Sequence, residues 1–210
     1  MLDGDKAFKR WNIIKFNYGL PTHDRRTESC RVYEDSIKVE GQVKKTLEKS
    51  ELVARALVES EQQAISRKQS LALIRPSDVE FSWERLSKAE LVEDKRKFAK
   101  QAAQLPLLET EIAAYQPCPF RFKMKYRDGD GPHTKTCADW ETSATFVNLR
   151  QKRGMEERAV LQHLQKTYCE DYTKTGLVLA IGNMQKRPQT WQLLGIFPVR
   201  GTTQSDLFVA

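Results

Sequence analysis

The chain lacks any long hydrophobic run. No stretch reaches the roughly 18 consecutive apolar residues that predict a membrane-spanning helix. Its first fifteen residues mix acidic, basic and apolar side chains, a pattern typical neither of a signal peptide nor of a transit peptide. The sequence therefore predicts a cytoplasmic protein with no membrane partner.

The chain also has few residues of the kinds that bind metals or nucleotides. It has 3 histidines, in separate segments, and 4 cysteines without C-x-x-C spacing, which predicts reduced and mostly buried thiols. The glycine-rich phosphate motifs G-x-x-x-x-G-K-[ST] and G-x-G-x-x-G and the nucleophile motif G-x-S-x-G are missing. We therefore predict no metal, no cofactor and no catalytic residue.

What the chain has in excess is positive charge. Thirty-five lysines and arginines stand against 28 acids, giving a net charge of +7. Such an excess favours a polyanionic partner, of which nucleic acid, DNA or RNA, is the first expectation. The alternative interpretation is an ordinary soluble protein with a basic surface.

The hydrophobic patterns predict an α+β fold, with a mostly antiparallel sheet packed by two helices and preceded by a smaller β-plus-helix segment. We expect one helix from about residue 44 to 67, another over 87–105, and a ββααββ order after that. The predicted boundaries are 1–43 for a β-rich segment, 44–114 for a helical and linker region with a short hairpin, 115–200 for the ββααββ domain, and 201–210 for a flexible tail.

One predicted strand has a cationic face, formed by Arg121, Lys123, Lys125 and Arg127. These cations alternate strictly with apolar residues, so they project from one side at about 7 Å intervals. That spacing is close to the phosphate repeat of a nucleic-acid strand and predicts successive phosphate contacts. The alternative is a solvated face that protects an edge strand from aggregation.

Two further basic segments are candidates for phosphate binding. A polar loop carries Arg25 and Arg26, with Arg31 shortly after it, and guanidinium groups match phosphate oxygens in geometry. Lys186 and Arg187 form a basic turn between the last two predicted strands. We expect both segments to extend the cationic surface.

Asp139 and Glu141 are the best-placed acids for a metal-dependent nuclease, with Glu170 and Asp171 further along the chain. A simpler interpretation is sufficient for the first two, because Asp139 stands where a helix N-cap is expected and Glu141 would lie in its first turn. We therefore expect helix capping and retain the nuclease as an alternative.

The chain ends in a short peptide, Gln204-Ser205-Asp206-Leu207-Phe208, before Val209 and Ala210. It resembles the peptide with which bacterial replication and repair proteins bind the DNA sliding clamp. In that interpretation Leu207 and Phe208 are apolar anchors in a groove and Gln204 bonds at its edge. Such peptides usually carry a second apolar residue at the position of Ser205.

Several short motifs together resemble one uncharacterised family of prokaryotic and phage proteins. The motifs are Arg25-Arg26-Thr27-Glu28-Ser29, Asp35-Ser36-Ile37-Lys38-Val39, Pro119-Phe120-Arg121-Phe122, Asp139-Trp140-Glu141, Ala180-Ile181-Gly182-Asn183 and the C-terminal peptide. The resemblance implies an N-terminal segment similar to OB-fold or PUA-like modules, mostly missing here, and a nucleic-acid or phage-conflict context. It implies no catalytic residues.

Taken together, the sequence predicts a non-enzymatic, nucleic-acid-binding accessory protein that acts in DNA replication or repair, in a mobile element or in phage defence. A sliding clamp or other subunits of a complex are the expected protein partners. The alternatives are a structural subunit of a larger protein or ribonucleoprotein complex and, second, the metal-dependent nuclease.

Overall fold

A computed structural model of the chain describes residues 8–24, 26–103 and 117–200. Over these residues the fold is mixed α+β, as the sequence predicts, and the strands form several mostly antiparallel sheets. Among the described helices, none is both long enough and apolar enough to cross a membrane.

The elements follow in chain order. The N-terminal part contains β1 (Asn12–Lys15), β2 (Tyr18–Gly19), β3 (Arg31–Val32), β4 (Lys38–Gln42), α1 (Thr46–Ala56), β5 (Leu57–Val58) and α2 (Glu61–Ser66). The remainder contains β6 (Leu71–Ile74), β7 (Ser77–Arg85), α3 (Lys88–Ala103), β8 (Phe120–Asp128), β9 (Gly131–Thr136), α4 (Trp140–Arg153), α5 (Glu157–Lys166), α6 (Tyr172–Thr175), β10 (Leu177–Met184) and β11 (Arg187–Pro198).

The strands predicted to form one sheet are divided between two. One sheet has the order β7-β8-β9 and is antiparallel throughout, and the other has the order β11-β10-β6-β5 with a parallel β5–β6 pair at one edge. The division arises because β6 and β7, which are consecutive in the chain, pair with β10 and β8 respectively. An isolated bridge between Cys137 and Leu193 connects the two sheets.

The prediction of a single helix over residues 44–67 is wrong in detail. The chain leaves α1 at Leu57, forms the short strand β5 against Leu73 and Ile74, and starts α2 only after Ser60. The Ser60 side chain accepts a hydrogen bond from the Gln63 amide, as a helix N-cap does. Two strand residues and a new cap therefore interrupt an apolar periodicity that is compatible with one continuous helix.

The two helices of the C-terminal part form where the sequence predicts them. Asp139 caps α4, and Gly154 ends it with φ 61°, a left-handed conformation that glycine adopts without steric cost. A π-helical turn (Thr167–Asp171) connects α5 to α6. Both sheets and these helices contribute to one hydrophobic core, whose fully buried members include Phe122, Met124 and Leu193.

Candidate functional site

An open groove of about 670 Å³ lies beside the end of β10. Three segments of the chain meet there: the loop before β3, the end of α2, and the turn between β10 and β11. Its lining residues are His23, Asp24, Arg26, Ile65, Lys68, Gln69, Ser70, Asn183, Gln185, Pro188, Gln189 and Trp191. The volume lies within the roughly 300–1,000 Å³ that is usual for small-ligand sites.

An ion pair fixes the shape of the loop that forms one wall. The Arg26 guanidinium donates to both Asp24 oxygens, with Nε–Oδ1 at 3.0 Å and Nη2–Oδ2 at 2.7 Å, and Ser29 Oγ also donates to Asp24 at 2.7 Å. The Arg26 hydrogen bond, followed by that of Ser29, holds the pKa of Asp24 well below its usual range. Arg26 Nη1 donates to the Asn183 carbonyl at 2.8 Å. Arg26 therefore holds the loop against β10, and its guanidinium is already bonded to protein groups.

A second carboxylate attaches the same loop to β6. Glu28 accepts hydrogen bonds from the Ser70 amide, at 3.1 Å to each oxygen, and from the Ser70 hydroxyl. Burial alone would raise the pKa of Glu28, but the hydrogen bonds from Ser70 outweigh it and lower the pKa. The loop wall is thus held at two points, by Arg26 on β10 and by Glu28 on β6.

The opposite wall is the C-terminal end of α2, which closes with a Schellman motif. The Lys68 amide donates to Ile65 O at 2.9 Å and the Gln69 amide donates to Ala64 O at 3.0 Å. The motif requires a left-handed residue, usually glycine, and Lys68 occupies this position with φ 57°. The chain thus adopts an unfavourable backbone conformation that places a lysine at the groove.

The other end of α2 is anchored to the β8–β9 hairpin. Asp128 Oδ2 accepts from the Glu61 amide at 3.1 Å, and Asp130 Oδ2 accepts from the Gln62 amide at 3.0 Å. Asp128, whose side chain is fully buried, also contacts His133 Nε2 at 2.8 Å. Two hairpin carboxylates therefore satisfy amides that the first turn of a helix leaves free.

The floor of the groove contains two amide side chains with an unusual feature. Gln69 Oε1 and Asn183 Oδ1 are buried and accept no hydrogen bond from any residue that the structure describes. Asn183 pairs across the sheet with Trp191, another lining residue. Close packing fixes the backbone here, because a Cβ at the neighbouring Gly182 would lie 2.6 Å from Leu194 Cδ1 and 3.1 Å from Ser70 O.

Four exposed cations, which we call the groove rim, belong to the groove or to the segments that bound it: Arg67, Lys68, Lys186 and Arg187. Within residues 8–24, 26–103 and 117–200, none of the four has a carboxylate within ion-pair distance. The same holds for Arg31, which is exposed on β3. Lys186 and Arg187 therefore have no described carboxylate that would compete with an anion for them.

The predicted cationic face, Arg121, Lys123, Lys125 and Arg127, lies on β8, and we call it the β8 stripe. In contrast to the rim cations, every member of the stripe faces a carboxylate. Arg121 contacts Glu84 and Glu90, both at 3.0 Å, Lys123 also contacts Glu84, Lys125 contacts Glu80 at 3.4 Å, and Arg127 contacts Asp78 at 3.7 Å. All these acids except Glu90 come from β7, the neighbouring strand. The four cations are matched by four acids, so the stripe offers little net positive charge to a phosphate backbone.

The sequence contained a signal for this pairing. Asp78, Glu80 and Glu84 alternate with Val79, Phe81 and Trp83 along β7, the reverse in charge of the pattern along β8. Once the two strands pair, the acids lie opposite the cations. The sequence contained only weak signals for the groove. The best of them is Asn183, a polar residue at the end of the apolar run Leu177–Gly182.

The two best-placed acids of the nuclease alternative, Asp139 and Glu141, have structural partners. Both Asp139 oxygens accept from the first turn of α4, from the Glu141 amide and the Thr142 amide at 3.2 Å, and Oδ2 also accepts from Thr142 Oγ1 at 2.7 Å. Glu141 forms an ion pair with Arg10 at 2.5 Å. In the part of the chain that the structure describes, no three His, Cys, Asp or Glu side chains come close enough to share a metal ion.

Four predicted site residues lie outside the described residues. They are Arg25 in the loop, and Gln204, Leu207 and Phe208 of the C-terminal peptide.

Comparison with known families gives two matches. A model for a domain of unknown function, DUF8757, matches residues 51–210, which include α2, both large sheets and the groove floor. The chain belongs to the DUF8757 family. A second model of a domain of unknown function, DUF8758, matches residues 1–57. No curated protein and no solved structure shows significant similarity to the chain.

Proposed function

We propose that this DUF8757 protein is a non-enzymatic nucleic-acid-binding accessory protein, and that the groove and its rim are its binding surface. The observation that carries the proposal is the state of the rim cations. Arg67, Lys68, Lys186 and Arg187 are exposed and have no carboxylate partner among the described residues, beside a groove lined mainly by polar side chains. Free lysines and arginines around a groove favour binding of a phosphate backbone.

The net charge of +7 supports the same proposal. Since the β8 stripe is balanced by β7 and α3, the basic excess resides elsewhere, and the rim accounts for four of its charges. In this proposal Arg26, which is paired with Asp24, shapes one wall of the groove, whereas Arg31 and the β8 stripe lie outside the principal contact.

The proposal is tested by titrating fluorescently labelled single- and double-stranded DNA and RNA with the protein at two salt concentrations, followed by anisotropy. We expect binding that weakens steeply with salt, with a slope of log K against log salt near −0.9 per phosphate contacted on duplex DNA and about −0.7 on single strands. An absence of binding to all four probes at low salt would refute the proposal.

The C-terminal peptide suggests where such binding takes place. We propose that Gln204, Leu207 and Phe208 recruit a sliding clamp or an equivalent partner in replication or repair, a mobile element or phage defence. The test compares clamp binding by the full chain with binding by Leu207→Ala/Phe208→Ala. Loss of binding in the variant supports the proposal, and equal binding contradicts it.

A second candidate function is a subunit of a larger assembly. Its supporting observation is the apolar surface of the segment around β1–β4, where Tyr18, Leu20 and Tyr33 are 59%, 82% and 52% exposed. Exposed apolar side chains in such number are typical of a protein-binding surface. Size-exclusion chromatography with light scattering tests it, since a strictly monomeric protein at high concentration that also captures no partner would count against it.

A further inference from the structure

We propose that the groove binds one unpaired base of a single-stranded nucleic acid, and that it selects bases carrying an exocyclic amino group over thymine or uracil. The inference rests on the proposed function, because the rim must first hold the strand. The charge of the rim explains binding to any phosphate backbone, whereas a base in the groove would also explain a preference among bases.

The first argument is the chemistry of the lining. Trp191, Pro188 and Ile65 supply aromatic and apolar surface, while Gln69, Asn183 and Gln185 supply amide groups. A flat heterocycle with hydrogen-bonding edges suits this combination, since bases bind proteins by contact with apolar or aromatic side chains and by hydrogen bonds at their edges. Amide side chains are also common partners of base edges.

The second argument is the pair of unsatisfied acceptors. Gln69 Oε1 and Asn183 Oδ1 belong to the lining, are buried, and have no donor among the described residues. A buried acceptor without a donor is costly. Because these oxygens have almost no contact with solvent, the two amides must turn towards the groove for a ligand N–H to reach them, and the hydrogen bond then removes that cost. Adenine, cytosine and guanine each carry an exocyclic NH₂ group with two N–H donors, whereas thymine and uracil carry carbonyl oxygens in its place and offer a single ring N–H.

The third argument is the position of the cations. Lys68 lines the groove itself. Lys186, in the turn before β11, and Arg187, the first residue of β11, stand between two other lining residues, Gln185 and Pro188. A base in the groove would therefore have its flanking phosphates near lysine and arginine side chains on two sides. A base in a duplex is stacked and paired, so an edge-reading groove of this kind takes a base from a single strand.

The test uses labelled oligothymidylate strands that differ at one central position, which holds adenine, cytosine, guanine, thymine or an abasic site. RNA strands of oligouridylate with the same central bases form a second arm and identify the sugar that is preferred. We expect strands with a central adenine, cytosine or guanine to bind about five- to tenfold more tightly than the thymine and abasic strands. The salt slope should be the same for all.

Three variants connect the preference to the groove. Gln69→Met removes one of the two acceptors and should reduce the preference to about two- to threefold without changing the salt slope, because the Asn183 acceptor remains. Gln69→Glu keeps an acceptor at this position and should keep the preference. Gln62→Met makes the same change at an exposed position of α2 and should behave as wild type.

The outcomes separate this inference from the proposed function. Equal affinity for base-containing and abasic strands, with a steep salt slope, overturns the base inference and leaves the nucleic-acid proposal standing. A preference for thymine, or a preference that Gln69→Met leaves at its wild-type size, also overturns the inference. No binding to any strand refutes both.

Discussion

The groove rim and the β8 stripe each consist of four lysines and arginines, but the two regions differ in what surrounds the charges. On the β8 stripe every cation faces a carboxylate of β7 or α3 within 4.0 Å. On the rim no described carboxylate lies within that distance. A basic pattern in a sequence therefore indicates an anion-binding surface only when the neighbouring strand or helix does not neutralise it. The following predictions test this contrast.

The largest expected difference is between charge reversals in the two regions. Lys186→Glu/Arg187→Glu should weaken nucleic-acid binding by about ten- to a hundredfold and reduce the salt slope by about 2, because two phosphate contacts are lost. Lys125→Glu/Arg127→Glu is the matched control and should change affinity less than about threefold, since those cations already face acids. Anisotropy titration measures both. Equal losses in the two variants would remove the distinction between the regions.

A second prediction concerns the hairpin that supports the rim. Asp128→Asn should lower the free energy of unfolding by about 1–3 kcal/mol at pH 7, because it weakens the hydrogen bond to the Glu61 amide at the start of α2 and a contact with His133. Urea unfolding measures the loss. Asp130→Asn, which alters a more exposed contact of the same kind, should cost less.

The Asp128 prediction has a definite dependence on pH. Burial alone would raise the pKa of Asp128, but the hydrogen bonds from the Asp130 and Glu61 amides and the contact with His133 outweigh it, so the pKa is lowered. A lowered pKa stabilises the fold above the unfolded-state pKa, about 3.9, and this stabilisation is lost as the pH falls through the folded-state value. The difference between wild type and Asp128→Asn should therefore shrink as the pH falls from about 5 towards 2. A constant difference would contradict the assignment.

A third prediction concerns Lys68, where one substitution should have opposite effects on the stability of the fold and on nucleic-acid binding. Lys68→Gly should stabilise the protein by about 0.5–1 kcal/mol, because glycine adopts φ 57° without the steric cost that lysine incurs. The same variant should bind nucleic acid several times more weakly. Lys68→Asn, which tolerates the left-handed conformation and lacks charge, is the control and should also bind weakly. Unchanged binding in both variants would exclude Lys68 from the site.

The smallest expected effect is the coupling energy between a cation of the β8 stripe and its acidic partner on β7. A double-mutant cycle with Lys125→Met and Glu80→Gln should give a coupling energy below about 1 kcal/mol, because exposed ion pairs are screened by solvent. Thermal or urea unfolding of the four proteins measures it. A coupling above about 2 kcal/mol would show that the stripe is a structural element, which would further distinguish it from the rim.

The sequence by itself determined the elements whose apolar residues repeat with a regular period. The alternation along β8 predicts its buried face, with Phe122, Met124 and Tyr126 in the core. Asp139 and Gly154 mark the ends of α4, since capping depends on residues close in the chain. The free cations Lys186 and Arg187 could likewise be identified, because a turn between two strands leaves its side chains exposed.

Only the tertiary structure decided which charges are neutralised and which polar groups meet. The positive charge of the β8 stripe is neutralised by acids of β7, a strand about 40 residues earlier in the chain, as the contact between Lys123 and Glu84 shows. The groove brings together the loop at Asp24, the end of α2 at Lys68 and β10 at Asn183, which no local pattern connects. Periodicity and capping depend on near neighbours in the chain, whereas net local charge and a binding site depend on neighbours in space.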